Sequence, residues 1–254
     1  ITNTLAPTVS FNPTNSSSTH AAGDNIILSF NTAIRKATDD SDLTDSNVDS
    51  HITLKDTNSS GSNINFDATI DASDKVITIN PSSDLNSSQV VYVAIGNTVE
   101  NVCNTALSAS SATFTVADTV DPILSSSNPT DGAPSVGVDA NIVLTFNEAV
   151  DAESGNIDIV NTSTGEAIEI DVTGALLSGS GTTEITINPS SNLENDTSYH
   201  VKIDSTAFDD AVGNSYAGIS NTTTLNFTTA KGQIFNNTVK TLVKNQTTAS
   251  IQSM

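Results

Sequence analysis

Along the second half of the chain, large apolar residues fall two apart with polar or β-branched residues between them. Ile142, Leu144 and Phe146 enclose Val143 and Thr145, and Ile185 and Ile187 flank Thr186. A period of two predicts strands with one face buried and the other wet. Runs of this kind stand at 123–127, 141–146, 156–160, 167–171, 184–188, 199–204 and 224–228, divided by turn-forming residues every 8–16 positions. Seven short strands with such spacing predict an antiparallel Greek-key β-sandwich.

The pattern occurs twice. NIILSFNTAI at Asn25–Ile34 returns as NIVLTFNEAV at Asn141–Val150, VITINPSSDL at Val76–Leu85 as EITINPSSNL at Glu184–Leu193, and FTVAD at Phe114–Asp118 as FTTAK at Phe227–Lys231. The offset of about 108–116 residues is the length of one sandwich. The expected organisation is a first sandwich over 1–118, a second over 119–230 and a tail over 231–254. The tail breaks the alternation. It carries no acidic residue, and its apolar positions Ile234, Phe235, Val239, Leu242, Val243 and Ile251 have the spacing of a short amphipathic helix.

Composition narrows the picture. Hydrophobic residues are 36%, aromatics 4% and Trp is absent, so each core is expected to be thin and aliphatic. The net charge is −21. Residues 1–118 hold four basic and thirteen acidic side chains, 119–230 one and sixteen, and 231–254 three lysines only. An acidic body repels phosphate backbones, which argues against a nucleic-acid partner. A single cysteine, Cys103, rules out an internal disulfide framework. No run approaches 18 consecutive apolar residues, so no membrane-spanning helix is expected. The first residues, ITNTLAPTVS, lack the charged and apolar regions of a signal peptide, and the chain reads as a mature or excised piece of a longer protein.

The second copy resembles the bacterial Ig-like domains of S-layer proteins and large surface adhesins. The resemblance rests on DPILSSSNPTDGAPSVGVDANIVLTFNEAVDAESGNIDI, on ITINPSSNLENDTSYHVKID and on FDDAVGNSYAGI. It covers 119–230 and implies an all-β fold: two tandem Ig-like Greek-key β-sandwiches followed by the short helical tail. The first copy matches less closely. Val91 stands for Tyr199, and Glu100 to Asn104 stand where DDAVGN does, so the missing Tyr and Gly leave the geometry of those two turns open. Domains of this type act as spacers, stalks or adhesive modules on cell-surface and secreted proteins. The tail segment VKTLVKNQTTASI is similar to segments that lead into autotransporter barrels.

Catalytic residues are not expected. His20, His51 and His200 are far apart in sequence, and His200 is expected on the exposed face of its strand because it alternates with Tyr199 and Val201. No G-x-S-x-G, H-E-x-x-H or Walker pattern occurs, and SGSGT at Ser178–Thr182 reads as a hairpin connection. The run Asp39, Asp40, Asp42, Asp45, Asp49 lacks the Gly and closing Glu of an EF-hand and is expected to be a solvated loop.

Calcium is the one cofactor the sequence raises. Hard cations need several oxygens converging from one group of loops. In an Ig-type sandwich the incoming segment, the loop after the second strand and the loop before the last strand share one end. In the second copy these carry Asp118 and Asp121, then Glu148, Asp151 and Glu153, then Asp209 and Asp210 with Asn214. The expected metal ligands are Asp118, Asp121, Glu148, Asp151, Asp209 and Asp210, gathered where the copies join. The first copy has Thr32 for Glu148, Arg35 for Asp151 and, in the same alignment, Cys103 for Gly213. The functional expectation is a non-enzymatic stalk or adhesive segment of an extracellular or cell-surface bacterial protein. Its partners would be neighbouring domains of a longer chain and surface glycans or proteins. The alternative is an accessory module of a larger secreted enzyme.

Overall fold

The computed structural model describes residues 5–232, and the chain divides between Val120 and Asp121 into two compact units. The helix expected in the tail lies outside the described residues. In the first unit the strands are β1 (Val9–Asn12), β2 (Ile26–Phe30), β3 (Ile34–Lys36), β4 (Ile52–Asp56) and β5 (Phe66–Ile70). They continue with β6 (Val76–Pro81), β7 (Val90–Ile95), β8 (Val99–Asn101) and β9 (Ser110–Thr115). One sheet has the order β1-β2-β6-β5 and the other β4-β7-β9, with β3 paired to β8 beside them. Leu28, Ile77 and Ile79 from the first sheet and Val91, Val93 and Phe114 from the second fill a single core. Full burial of each such side chain stabilises by about 1.5–3 kcal/mol.

The second unit contains β10 (Leu124–Asn128), β11 (Ala133–Val136), β12 (Ile142–Ala152), β13 (Asn156–Asn161) and β14 (Ala167–Asp171). After these come β15 (Leu177–Ser178), β16 (Thr182–Ile187), β17 (Ser198–Ile203), β18 (Phe208–Asp209) and β19 (Asn226–Thr229). The sheets run β10-β12-β16-β15, with β18 on β12, and β11-β19-β17-β13-β14. A separate core includes Leu144, Ile159, Ile185, Val201 and Phe227. Phe146 sits 5.4 Å from Phe208 and 5.2 Å from Tyr216 between ring centroids, closing the end of the core nearest β18.

All seven strands expected in this copy are present. Three more, β11, β15 and β18, go beyond the expectation, and β12 runs on to Ala152. The extra strands are short: β11 and β18 exist through long-range pairing with β19 and β12, and β15 through a local hairpin with β16.

Two expectations are corrected. His200 lies on the outer face of β17 as its alternation requires, but it is buried rather than exposed, at 6%. Strand β17 is flanked by β13 and β19, and the Thr162 hydroxyl covers the ring with a contact of 3.1 Å to Nδ1. The aspartate run in the first unit is more than a solvated loop. Asp49 Oδ1 accepts the N–H of Ala68 at 2.8 Å and Asp45 Oδ1 that of Ile70 at 3.0 Å. Strand β5 is the outermost strand of its sheet, so these carboxylates satisfy donors that an edge leaves open.

Candidate functional site

Glu148 is displaced from the sheet by a register shift. Strand β12 pairs regularly with β16 as far as Thr145, then irregularly until Val150 meets Thr182. Asn147 anchors this bulge. Its Oδ1 accepts the Ile123 N–H at 2.6 Å, and its Nδ2 donates to Glu148 Oε1 at 3.1 Å. Asn31 plays the first part of that role in the first unit, accepting the Thr8 N–H at 2.9 Å. The Phe-Asn pair shared by the two copies, Phe30-Asn31 and Phe146-Asn147, is the sequence signal for this support.

Past the bulge, β12 pairs with β18, and Asp151 lies directly opposite Asp209. Like charges facing one another across an antiparallel pair destabilise it. The next residue, Asp210, is buried at 6%. Its Oδ1 accepts the backbone N–H groups of Val212, Gly213 and Asn214 at 2.9, 2.8 and 2.9 Å, and its Oδ2 accepts the Asn214 amide at 2.8 Å. Burial alone would raise the pKa, but these hydrogen bonds outweigh it and hold the carboxyl below its ordinary range. Carboxylate oxygens of Glu148 and Asp210 lie within 4.8 Å of each other. The second unit thus places Glu148 beside Asp210 and Asp151 opposite Asp209.

The other two expected ligands lie along the connecting segment. Asp121 is exposed and opens the second unit. Asp118 belongs to the first unit, where its oxygens accept the hydroxyls of Ser87 at 2.7 Å and Ser88 at 2.8 Å and the Val120 N–H at 3.1 Å. The two serine hydroxyls hold its pKa below the usual value.

At the matching place the first unit is internally neutralised. Arg35 is the ladder partner of Glu100, as Asp151 is of Asp209. The guanidinium donates to Glu100 Oε1 at 3.2 and 3.1 Å and to Asn104 Oδ1 at 2.8 Å, and it pairs with Asp40 at 3.1 Å. Asn101 stands where Asp210 does: its Oδ1 accepts the N–H groups of Cys103 and Thr105, and its Nδ2 donates to the Leu5 carbonyl.

These bonds also correct the repeat alignment. The bridge Glu100–Ala106 corresponds to Asp209–Ser215, so Gly213 matches Asn104, and Cys103 matches Val212. The turn geometry that the missing Gly left open is kept here. Asn104 takes the left-handed backbone at φ 58° that Gly213 takes at φ 95°, a conformation Asn tolerates better than most residues.

Carboxylates around a bulge and a tight loop suit a hard cation, which takes oxygen ligands.

The family described as bacterial Ig-like domain matches residues 3–116 and again 118–229. No curated protein matches the chain. Among solved structures, an I-band fragment of titin is similar with a TM-score of 0.37 and 9% identity, over 89% of this chain and 66% of that one. Domains 1–6 of the surface layer protein SbsC give 0.33 and 11%, over 90% of this chain and 38% of that one. An LD transpeptidase in complex with imipenem gives 0.28 and 10%, over 88% and 90%. The chain therefore spans less than two thirds of the titin and S-layer chains.

Proposed function

Because the chain belongs to the bacterial Ig-like domain family, as two tandem members, we propose that it is a non-enzymatic stalk or adhesive segment of a cell-surface or secreted protein. One observation carries the reading. Two complete copies follow each other with a single residue, position 117, between the matched spans, and each has its own closed core. Back-to-back modules that fold separately suit the transmission of load or the spacing of other domains.

Single-molecule pulling on the intact chain tests it. Two separate unfolding events are expected, each releasing roughly 35–40 nm of chain for about 112 residues at full extension. One event spanning both copies, or yielding with no resolvable force, would count against a load-bearing role.

The second unit is further proposed to take up Ca²⁺ with Glu148, Asp151, Asp209 and Asp210, joined by Asp121 at its start. What supports this is the contrast between copies: Arg35 and Asn101 stand where the second copy keeps Asp151 and Asp210. Calorimetric titration should show millimolar Ca²⁺ releasing or absorbing heat on the native chain. The double variant Glu148→Thr, Asp151→Arg, which imports the first copy's residues, should show none. At tenfold the dissociation constant the bound ion would add about 1.4 kcal/mol. A native chain with no heat and no shift in melting removes the calcium reading and leaves the stalk reading untouched.

A further inference from the structure

Both units pair their incoming segment in parallel with their last strand. In the second, Val136 of β11 is the ladder partner of Thr229. In the first, His20 is the partner of Val116. An imidazole thus fills a position that the same fold fills elsewhere with valine. His20 is 7% exposed, its ring lies edge-on to Phe114 with centroids 4.9 Å apart, and its Nε2 is buried without a hydrogen-bond partner. An unpaired buried polar atom weakens the fold, and a charge there weakens it further.

The surroundings favour the neutral ring. Burial lowers its pKa below 6.5, against a smaller opposing pull from the Asp24 carboxylate and a hydrogen bond to the Asp24 backbone. The cleft beside it, about 420 Å³, is otherwise lined by neutral residues, among them Asn12, Thr14, Ser17, Thr19 and Asn25. Asp24 is the charged group acting on the ring among the described residues.

Backbone bonds around His20 join the start of the unit to its end. Ser16 N–H donates to Thr113 O at 2.7 Å, Thr115 N–H to Ser17 O at 2.8 Å and Ala117 N–H to His20 O at 2.8 Å. In the second unit Ala230 N–H donates to Val136 O at 2.7 Å in the place of the last of these.

We propose that His20 is an acid-operated latch, whose proton uptake releases the segment Ser16–His20 from Thr113–Ala117 in the first unit while the Val136 counterpart in the second stays closed. The sign follows from linkage. The closed state holds the lower pKa, so the opened state binds more protons. Closure is at full strength above about pH 6.5, weakens as pH falls below it, and stops weakening once the closed-state pKa is passed. His51, with its Nδ1 also buried and unpaired and its pKa lowered by burial and then by Lys36, adds acid sensitivity to the first unit as a whole. It lies just before β4, away from the latch bonds, so the measurement must be local.

Amide hydrogen exchange by NMR on the full chain between pH 7.5 and 5 makes it so. After correction for intrinsic exchange, the opening constants of Thr115 and Ala117 should rise up to about tenfold per pH unit below 6.5, and that of Ala230 should stay level. His20→Val should flatten the rise, and should it fail to fold, His20→Gln supplies the neutral side chain instead. Level opening of Thr115 and Ala117 in the native chain overturns the latch. So does a rise that persists in the folded variant.

Discussion

Asp158 is a carboxylate of the second unit whose pKa burial pushes above its ordinary value. Its Oδ1 is buried and has no hydrogen-bond partner. Its neighbours across the ladders are Glu169 on one side and Lys202 on the other. Burial, then Glu169 and Asp204, raise its pKa, and Lys202 only partly offsets them. A carboxyl whose folded pKa is raised destabilises the fold when charged, and that penalty fades as pH falls through the folded value. Asp158→Asn should therefore raise the melting temperature of the second unit at pH 7, with the gain shrinking toward pH 4. Calorimetry at several pH values checks it, and an unchanged or lowered melting temperature at pH 7 would contradict the argument. Alternation located His200 on the outer face, but it carries no information on what covers that face. Burial of an outward residue depends on neighbours such as Thr162 that arrive from elsewhere in the chain. The sequence consequently leaves His200 on an exposed face and says nothing of the surroundings of His20, while the structure buries both.

At the scale of elements, the long strands were legible because their apolar period is local. Strand β11, with Pro134 in its four residues, and the two-residue strands β15 and β18 have no period to read. The offset between copies changes along the chain, so an alignment made over strands slipped by one position in the loop holding Asn104 and Gly213. The contrast of Glu148 and Asp151 with Thr32 and Arg35 was legible, because they lie in a segment whose flanks align without gaps. The aspartates at 45 and 49 were missed as structural groups, since their acceptors' partners, Ala68 and Ile70, lie about twenty residues on. They protect the edge of β5, and removing them has an expected consequence. The double variant Asp45→Ala, Asp49→Ala exposes two strand donors in register and should self-associate with rising concentration, a tendency open edges share. Sedimentation velocity on native and variant chains over a range of concentrations would show it. A variant that sediments as the native chain does at every concentration would mean the edge is guarded by other means.

For the molecule as a whole, charge and calcium make separable demands on the second unit. Residues 119–230 hold sixteen acidic side chains against one lysine, compared with thirteen against four basic ones in 1–118. Self-repulsion of that size destabilises a compact state and is relieved by any salt, because the screening length shortens from about 30 Å at 0.01 M to about 10 Å at 0.1 M. A bound ion acts differently: it neutralises particular carboxylates, at concentrations that leave the screening length unchanged. Because each unit has its own core, the intact chain should melt in two transitions that report on the units separately. Raising NaCl from 0.01 to 0.3 M should lift the transition of the second unit more than that of the first. Millimolar Ca²⁺ at constant ionic strength should then lift the second transition again, by about 1.4 kcal/mol at tenfold the dissociation constant, and leave the first in place. If Mg²⁺ at equal concentration reproduces the whole calcium effect, or if both transitions move together, the acidity acts as a diffuse field and the contrast between Arg35 and Asp151 concerns repulsion alone.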